Sequence, residues 1–254
     1  MLIDTHAHIY SDHFDDDLNE VITRSKKEGI ERIYMPNIDS GSVEAMLRVE
    51  REFPDYCFAM MGLHPCSVKD NYLEELKVVE EWLQKRPFSA VGEIGTDLYW
   101  DKSHLKEQEF AFNYQVDLAQ EHGLPIVIHC RDSIDLTIEL VKKKQNGSLR
   151  GVFHCFTGST DQARQIIDLG FYLGIGGVLT FKNGGVDQIV KNIDPGHLVL
   201  ETDSPYLAPA PNRGKRNEPA YVSLVLKKLA GLYDKNEKDI SDITGANALK
   251  LFRG

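Results

Sequence analysis

No apolar run in the 254 residues approaches the ~18 that a membrane-spanning helix requires, so we expect no membrane segment. The N-terminus lacks a charged n-region and an apolar h-region, because Leu2 to His8 already reads as a strand with polar ends. A cytoplasmic protein is the expectation. Cysteine is scarce, with four residues (Cys57, Cys66, Cys130, Cys155) and no Cys-x-x-Cys pair, which speaks against a disulfide framework or a thiolate metal site. Positive charge is also short, 29 basic against 39 acidic residues for a net −10, which excludes a protein that coats nucleic acid through a broad basic face. It does not exclude a nuclease, because bound divalent ions and a few local arginines can hold one phosphodiester. There is no Gly-x-Gly-x-x-Gly after the first strand, no internal repeat and no linker-like break. Residues 1–254 therefore read as one domain without a dinucleotide fingerprint.

What the chain does have is alternation. Strand-like segments at 2–6, 31–36, 57–63, 88–93, 125–129, 150–154, 171–175 and 197–201 are short, aliphatic and largely uncharged, as parallel strands buried on both faces are. Helical patterns at 16–28, 41–53, 72–86, 104–122, 133–144, 160–168 and 184–192 separate them, and further helices are expected near 219–233, 236–241 and 245–252. Eight strands with intervening helices in this length point to an α/β fold, a (βα)₈ TIM barrel.

The strand ends carry the chemistry. His6 and His8 close the first, His64 the third, Glu93 the fourth, His129 the fifth, His154 the sixth, and Glu201 and Asp203 the eighth. In a barrel these C-terminal ends share one rim, where barrel enzymes keep their sites. So many buried polar groups at one rim need a common partner, and a metal supplies it. His6, His8, Glu93, His129, His154 and Asp203 form a nitrogen and oxygen set too large for one tetrahedral ion. Two divalent ions (Zn, Mn or Mg) bridged by Glu93 would use the set economically and activate a water. Asp203 reads as a ligand, as the base that takes the proton of that water, or as both. Glu201 is a ligand or a partner of one. Asp4 either orients a ligand from below or makes a plain buried hydrogen bond. Cys130 and Cys155 each follow a histidine and so face the other side of their strands.

Several spaced segments resemble one family. They are Ile3-Asp4-Thr5-His6-Ala7-His8, Gly62-Leu63-His64-Pro65, Val91-Gly92-Glu93-Ile94-Gly95, Pro125-Ile126-Val127-Ile128-His129, His154-Cys155-Phe156-Thr157-Gly158, Leu200-Glu201-Thr202-Asp203-Ser204-Pro205-Tyr206-Leu207 and the loop Asn212-Arg213-Gly214-Lys215-Arg216-Asn217-Glu218-Pro219. Across essentially its whole length the chain resembles the TatD-type metal-dependent deoxyribonucleases of the amidohydrolase superfamily. The resemblance implies a barrel of the metallo-dependent hydrolase type with the six ligands named above. It also implies hydrolysis of phosphodiesters at DNA ends, single strands preferred, with RNA or tRNA as further nucleic-acid partners. Gly95-Thr96-Asp97-Leu98-Tyr99-Trp100 departs from the Leu-Asp-Tyr run of many members, although Asp97 and Tyr99 are present.

A phosphodiester needs cationic or donor groups beside the metals. His64 either holds phosphate or packs against Pro65. Arg131 reaches a phosphate or pairs with Asp132. Arg213, Lys215 and Arg216 form a compact basic loop beside Asp203, read as phosphate contacts against the alternative of a solvated loop. Tyr206 and Tyr99 either stack on bases or pack the rim. Other expectations are an ester or amide hydrolase of the same superfamily, such as a D-aminoacyl-tRNA deacylase, and a metal-bound interaction protein without catalysis. The second would have no need of Asp203. No obligate protein partner is evident.

Overall fold

The structure, a computed structural model, describes residues 1–252. Eight parallel strands alternate with helices, in the order β1 (Leu2–Asp4), α1 (Leu18–Lys27), β2 (Ile30–Pro36), α2 (Val43–Glu52), β3 (Cys57–Met60), α3 (Tyr72–Lys85), β4 (Val91–Asp97), α4 (Leu105–Glu121), β5 (Ile126–Arg131), α5 (Ile134–Lys144), β6 (Gly151–Phe153), α6 (Thr160–Asp168), β7 (Tyr172–Ile175), α7 (Val186–Val190) and β8 (Leu198–Leu200). The terminal helices α8 (Val222–Leu232) and α9 (Glu237–Phe252) follow. Continuous ladders join β1 to β3 and β4 to β8. Fewer bonds close the two seams. Met61 N–H donates to Ala90 O and Gly92 N–H to Met61 O between β3 and β4. Thr5 N–H to Leu200 O, Asp203 N–H to His6 O and His8 N–H to Ser204 O join β1 to β8. The result is a (βα)₈ TIM barrel.

Period-two alternation builds the two cores. Ile3, Tyr34, Met60, Ala90, Val127, Val152 and Val199 form an inner apolar layer, plugged from below by Ala248, Leu251 and Phe252 of α9. Their neighbours Leu2, Ile33, Ile126, Ile128, Leu198 and Leu200 belong to the outer core that the helices cover. Two residues beyond the inner layer, on the same side of the strand, come His129 (after Val127), His154 (after Val152) and Glu201 (after Val199). The polar site thus sits on an apolar floor that shuts water out from below.

The observed bounds differ from the sequence expectation in an orderly way. β1, β3, β6 and β8 stop short of His6, His64, His154 and Glu201, leaving those side chains just past the ladder, where the backbone is free to re-aim them. β4 instead runs four residues past Glu93, to Asp97, with a register irregularity between Val91 and Ile94. Glu93 N–H there crosses to Asn37 O of the residue after β2, at 3.2 Å. The expected helices 236–241 and 245–252 merge into α9. At Gly245, inside α9, glycine serves close packing: a Cβ at this position would stand 2.3 Å from the Met1 carbonyl oxygen. Among the described residues, no helix is long and apolar enough to cross a membrane.

Candidate metal centre

Glu93 is the hub of the rim. Its carboxylate is 2 % exposed and its two oxygens face different partners. Oε2 lies 3.2 Å from His6 Nε2 and 3.5 Å from His8 Nε2. Oε1 lies 2.8 Å from His129 Nδ1, 3.0 Å from His154 Nε2 and 3.5 Å from His64 Nε2. Asp203 completes the first group, its Oδ1 being 3.7 Å from His6 Nε2 and 3.8 Å from His8 Nε2. Asp203 adopts φ +58°, a left-handed conformation that short polar side chains tolerate, and its N–H is held by His6 O at 2.8 Å. That turn aims the carboxylate across the β1–β8 seam.

The hydrogen bonds behind the rings fix which nitrogens are bare. Tyr10 O–H donates to Pro36 O, so its oxygen accepts from His8 Nδ1–H at 2.9 Å and leaves Nε2 unprotonated toward the site. Asp97 Oδ2 accepts from His129 Nε2–H at 2.9 Å and leaves Nδ1 facing Glu93. Glu201 Oε1 lies 3.3 Å from His154 Nδ1 and accepts Cys155 N–H, and His154 turns its Nε2 to Glu93 Oε1. His64 is the opposite case. Cys66 N–H donates to its Nδ1 at 3.0 Å, so the nitrogen facing Glu93 carries the proton. His64 offers the site a donor, and His8 and His129 offer lone pairs.

Bare nitrogens and carboxylate oxygens repel one another unless a cation lies among them. Ligands ~2.1 Å from a tetrahedral ion stand ~3.4 Å apart, and the separations among His6, His8 and Asp203 bracket that value, from 3.2 to 3.8 Å. The His6, His8 and Asp203 donors therefore fit a divalent ion. Without a metal, protons take the place of the cation. Burial works against ionising Glu93, but the surrounding His154, His6 and His64 hold its carboxyl well below the usual range. Burial likewise opposes the charged forms of His129 and His154, yet Asp97 and Glu93 in the first case, Glu93 and Glu201 in the second, push both up. For His64 burial wins and its pKa falls, in keeping with a neutral donor.

Other residues that the sequence singles out fall elsewhere. Asp4 touches no imidazole ring: it accepts from the backbone N–H of His6 (3.2 Å) and Thr202 (3.0 Å) and from the Thr202 hydroxyl (2.6 Å), pinning β1 to the end of β8. Burial pushes its carboxyl up to about 8 against those bonds. Arg216 is not free for phosphate. Its two terminal nitrogens bind both Asp17 oxygens at 2.7 Å, and the guanidinium lies over the Phe14 ring. Arg213 is exposed, its guanidinium stacked 3.4 Å from the Phe181 ring centroid. Arg131 does not pair with Asp132 but stacks 3.6 Å over Tyr99. Tyr206 is half exposed, with its ring centroid 6.3 Å from that of His8. Cys130 packs into the outer core, and burial pushes its thiol up to about 12.

Two residues are at the centre where the sequence does not place them. The apolar run ends at Glu93 and so leaves Asp97 in a loop, yet the parity of Asp97 with Glu93, four residues before it, is a signal that finds it. Tyr10 stands two residues after His8, in a segment with no strand pattern.

Known proteins share this architecture. A protein of Bacillus subtilis named an uncharacterized metal-dependent hydrolase, YabD, is 40% identical over 254 residues, covering 100% of this chain and 99% of that one. A 3'-5' ssDNA/RNA exonuclease TatD of Erwinia tasmaniensis is 28% identical, over 99% of both chains. The crystal structure of the TatD homologue YJJV from Escherichia coli superposes with a TM-score of 0.94 at 27% identity, covering 100% of this chain and 98% of that one. The model of the TatD-related DNase family matches residues 3–253, and the chain belongs to that family.

Proposed function

We propose that this chain is a divalent-metal-dependent phosphodiesterase that removes nucleotides from the ends of single-stranded DNA or RNA. Its centre would hold two ions, with His6, His8 and Asp203 on one side of Glu93 and His129 and His154 on the other. The observation that carries the reading is the split of Glu93, whose two oxygens face two separate sets of imidazole nitrogens. An imidazole-rich set of this kind accepts Zn or Mn and, less readily, Mg. When bound, such ions would supply a Lewis acid for a phosphoryl oxygen and would lower the pKa of water toward ~7. The named exonuclease relatives favour nucleic acid as the substrate class.

The chain's own groups divide the remaining work. Glu93 is sealed from water, whereas Asp203 is 15% exposed, so Asp203 is the carboxylate of the set that can take a proton and pass it to solvent. His64 Nε2–H supplies a donor to an oxygen of the scissile phosphate, fixed in place by the Cys66 amide behind it. Donors of this sort, preorganised where charge develops, act strongly in a buried site. The apolar layer beneath excludes water that would screen them.

The test is reconstitution. Protein stripped with chelator and reloaded with Zn²⁺, Mn²⁺ or Mg²⁺ should shorten end-labelled single-stranded DNA only when loaded. Asp203→Asn should lower the rate by ~10²–10⁴-fold. Absence of metal-dependent shortening in the wild type would overturn the reading.

A further inference from the structure

Exposed aromatic side chains are few among the described residues, and two of them are adjacent on the loop after β4: Tyr99 is 52% exposed and Trp100 71%. Their rings meet edge to face at 4.8 Å, and neither enters the core. The Arg131 guanidinium lies 3.6 Å from the Tyr99 centroid and 5.4 Å from that of Trp100, and no carboxylate among the described residues pairs with it. A guanidinium stacked on a ring keeps its N–H edges free for phosphate. On a chain of net charge −10 such a cation at the rim stands out from its surroundings.

The loop is tied to the metal centre. Asp97 Oδ1 accepts Tyr99 N–H at 2.9 Å and Trp100 N–H at 3.3 Å, while Oδ2 of the same carboxylate orients His129. Leu98 N–H donates to Arg131 O at 2.9 Å and fixes the loop to the end of β5. Arg131 itself is two residues past His129. An aromatic pair with a cation over one face, locked beside a phosphodiester-cleaving centre, is what a stacked base and its flanking phosphate require.

We propose that Tyr99, Trp100 and Arg131 form a stacking site for an unpaired base of the strand whose backbone lies on the metal centre. This rests on the nucleic-acid reading above and adds where the strand is gripped. Stacking takes any base but needs it unpaired, so the site selects single strands over duplex ends without reading sequence.

Fluorescence anisotropy of a 5'-labelled oligothymidylate tests this on the chelator-treated full chain, where binding is read without cleavage. Wild type should bind oligothymidylate ~10-fold more tightly than an abasic oligomer of equal length and charge. Trp100→Ala should bind the two alike, and Trp100→Phe should keep most of the preference, with circular dichroism confirming that both variants fold. Equal binding of the two oligomers by wild type, or a preference retained in Trp100→Ala, overturns the proposal. Failure of the nuclease reading is distinct, because it appears as absent cleavage in the metal-loaded protein.

Discussion

Whether a histidine here is a ligand or a donor is decided by the bond on the far side of its ring. Tyr10 and Asp97 place the proton of His8 and His129 away from the centre, and the Cys66 amide places that of His64 toward it. Distance alone would count His64 with the ligands, since it groups with Glu93 and His129. The tautomer separates them, and it gives a direct test. His64→Ala should retain the full complement of metal by elemental analysis while kcat falls by ~10²–10³-fold; a loss of one ion per chain would show that His64 is a ligand. At this scale much of the site is legible in the sequence, because His-x-His and a strand ending in His or Glu are local patterns. What is not legible depends on distant partners. Arg216 looks available in its loop, yet it is consumed by Asp17, 199 residues away.

Strand ends turn those residues into a site. The alternation that buries Val127, Val152 and Val199 inside the barrel also delivers His129, His154 and Glu201 two positions later. The strands and their order can be read from apolar runs, but the ends cannot, because a polar ligand ends the apolar signal whether or not the ladder ends there. β4 shows the consequence, continuing to Asp97 beside β5. Its approach to β5 depends on Gly95, which adopts φ +152° and where a Cβ would stand only 1.8 Å from the His129 carbonyl oxygen. Gly95→Ala should therefore separate β4 from β5 and cost on the order of 4 kcal/mol or more, read by urea unfolding. A midpoint equal to that of wild type would show that the strands part without cost.

For the whole molecule, the closed barrel gathers five histidines and several carboxylates into one mouth, and this gives the metal-free protein a characteristic pH profile. His129 and His154 have pKa values raised above 6.5, so above that pH the folded state holds protons that the unfolded chain has released, and stability falls as pH rises. His6 and His64 have values lowered from 6.5, so below that pH the unfolded chain holds the extra protons and stability falls as pH drops. Thermal unfolding of the chelator-treated protein should accordingly peak near pH 6.5. Reloading with metal should move the maximum upward, because ions bind the deprotonated rings. A metal-free profile that rises steadily through about pH 8 would contradict these assignments.

In the proposed function Glu93 bridges two ions, with the other ligands divided between the β1–β8 side and the β5–β6 side. Anomalous scattering from a crystal of the metal-loaded protein, collected at the absorption edge of the ion, tests it most directly. Two peaks ~3.5–4 Å apart are expected, one beside His6, His8 and Asp203 and the other beside His129 and His154, with His64 contacting neither. A single peak, or a second peak coordinated by His64, would contradict it.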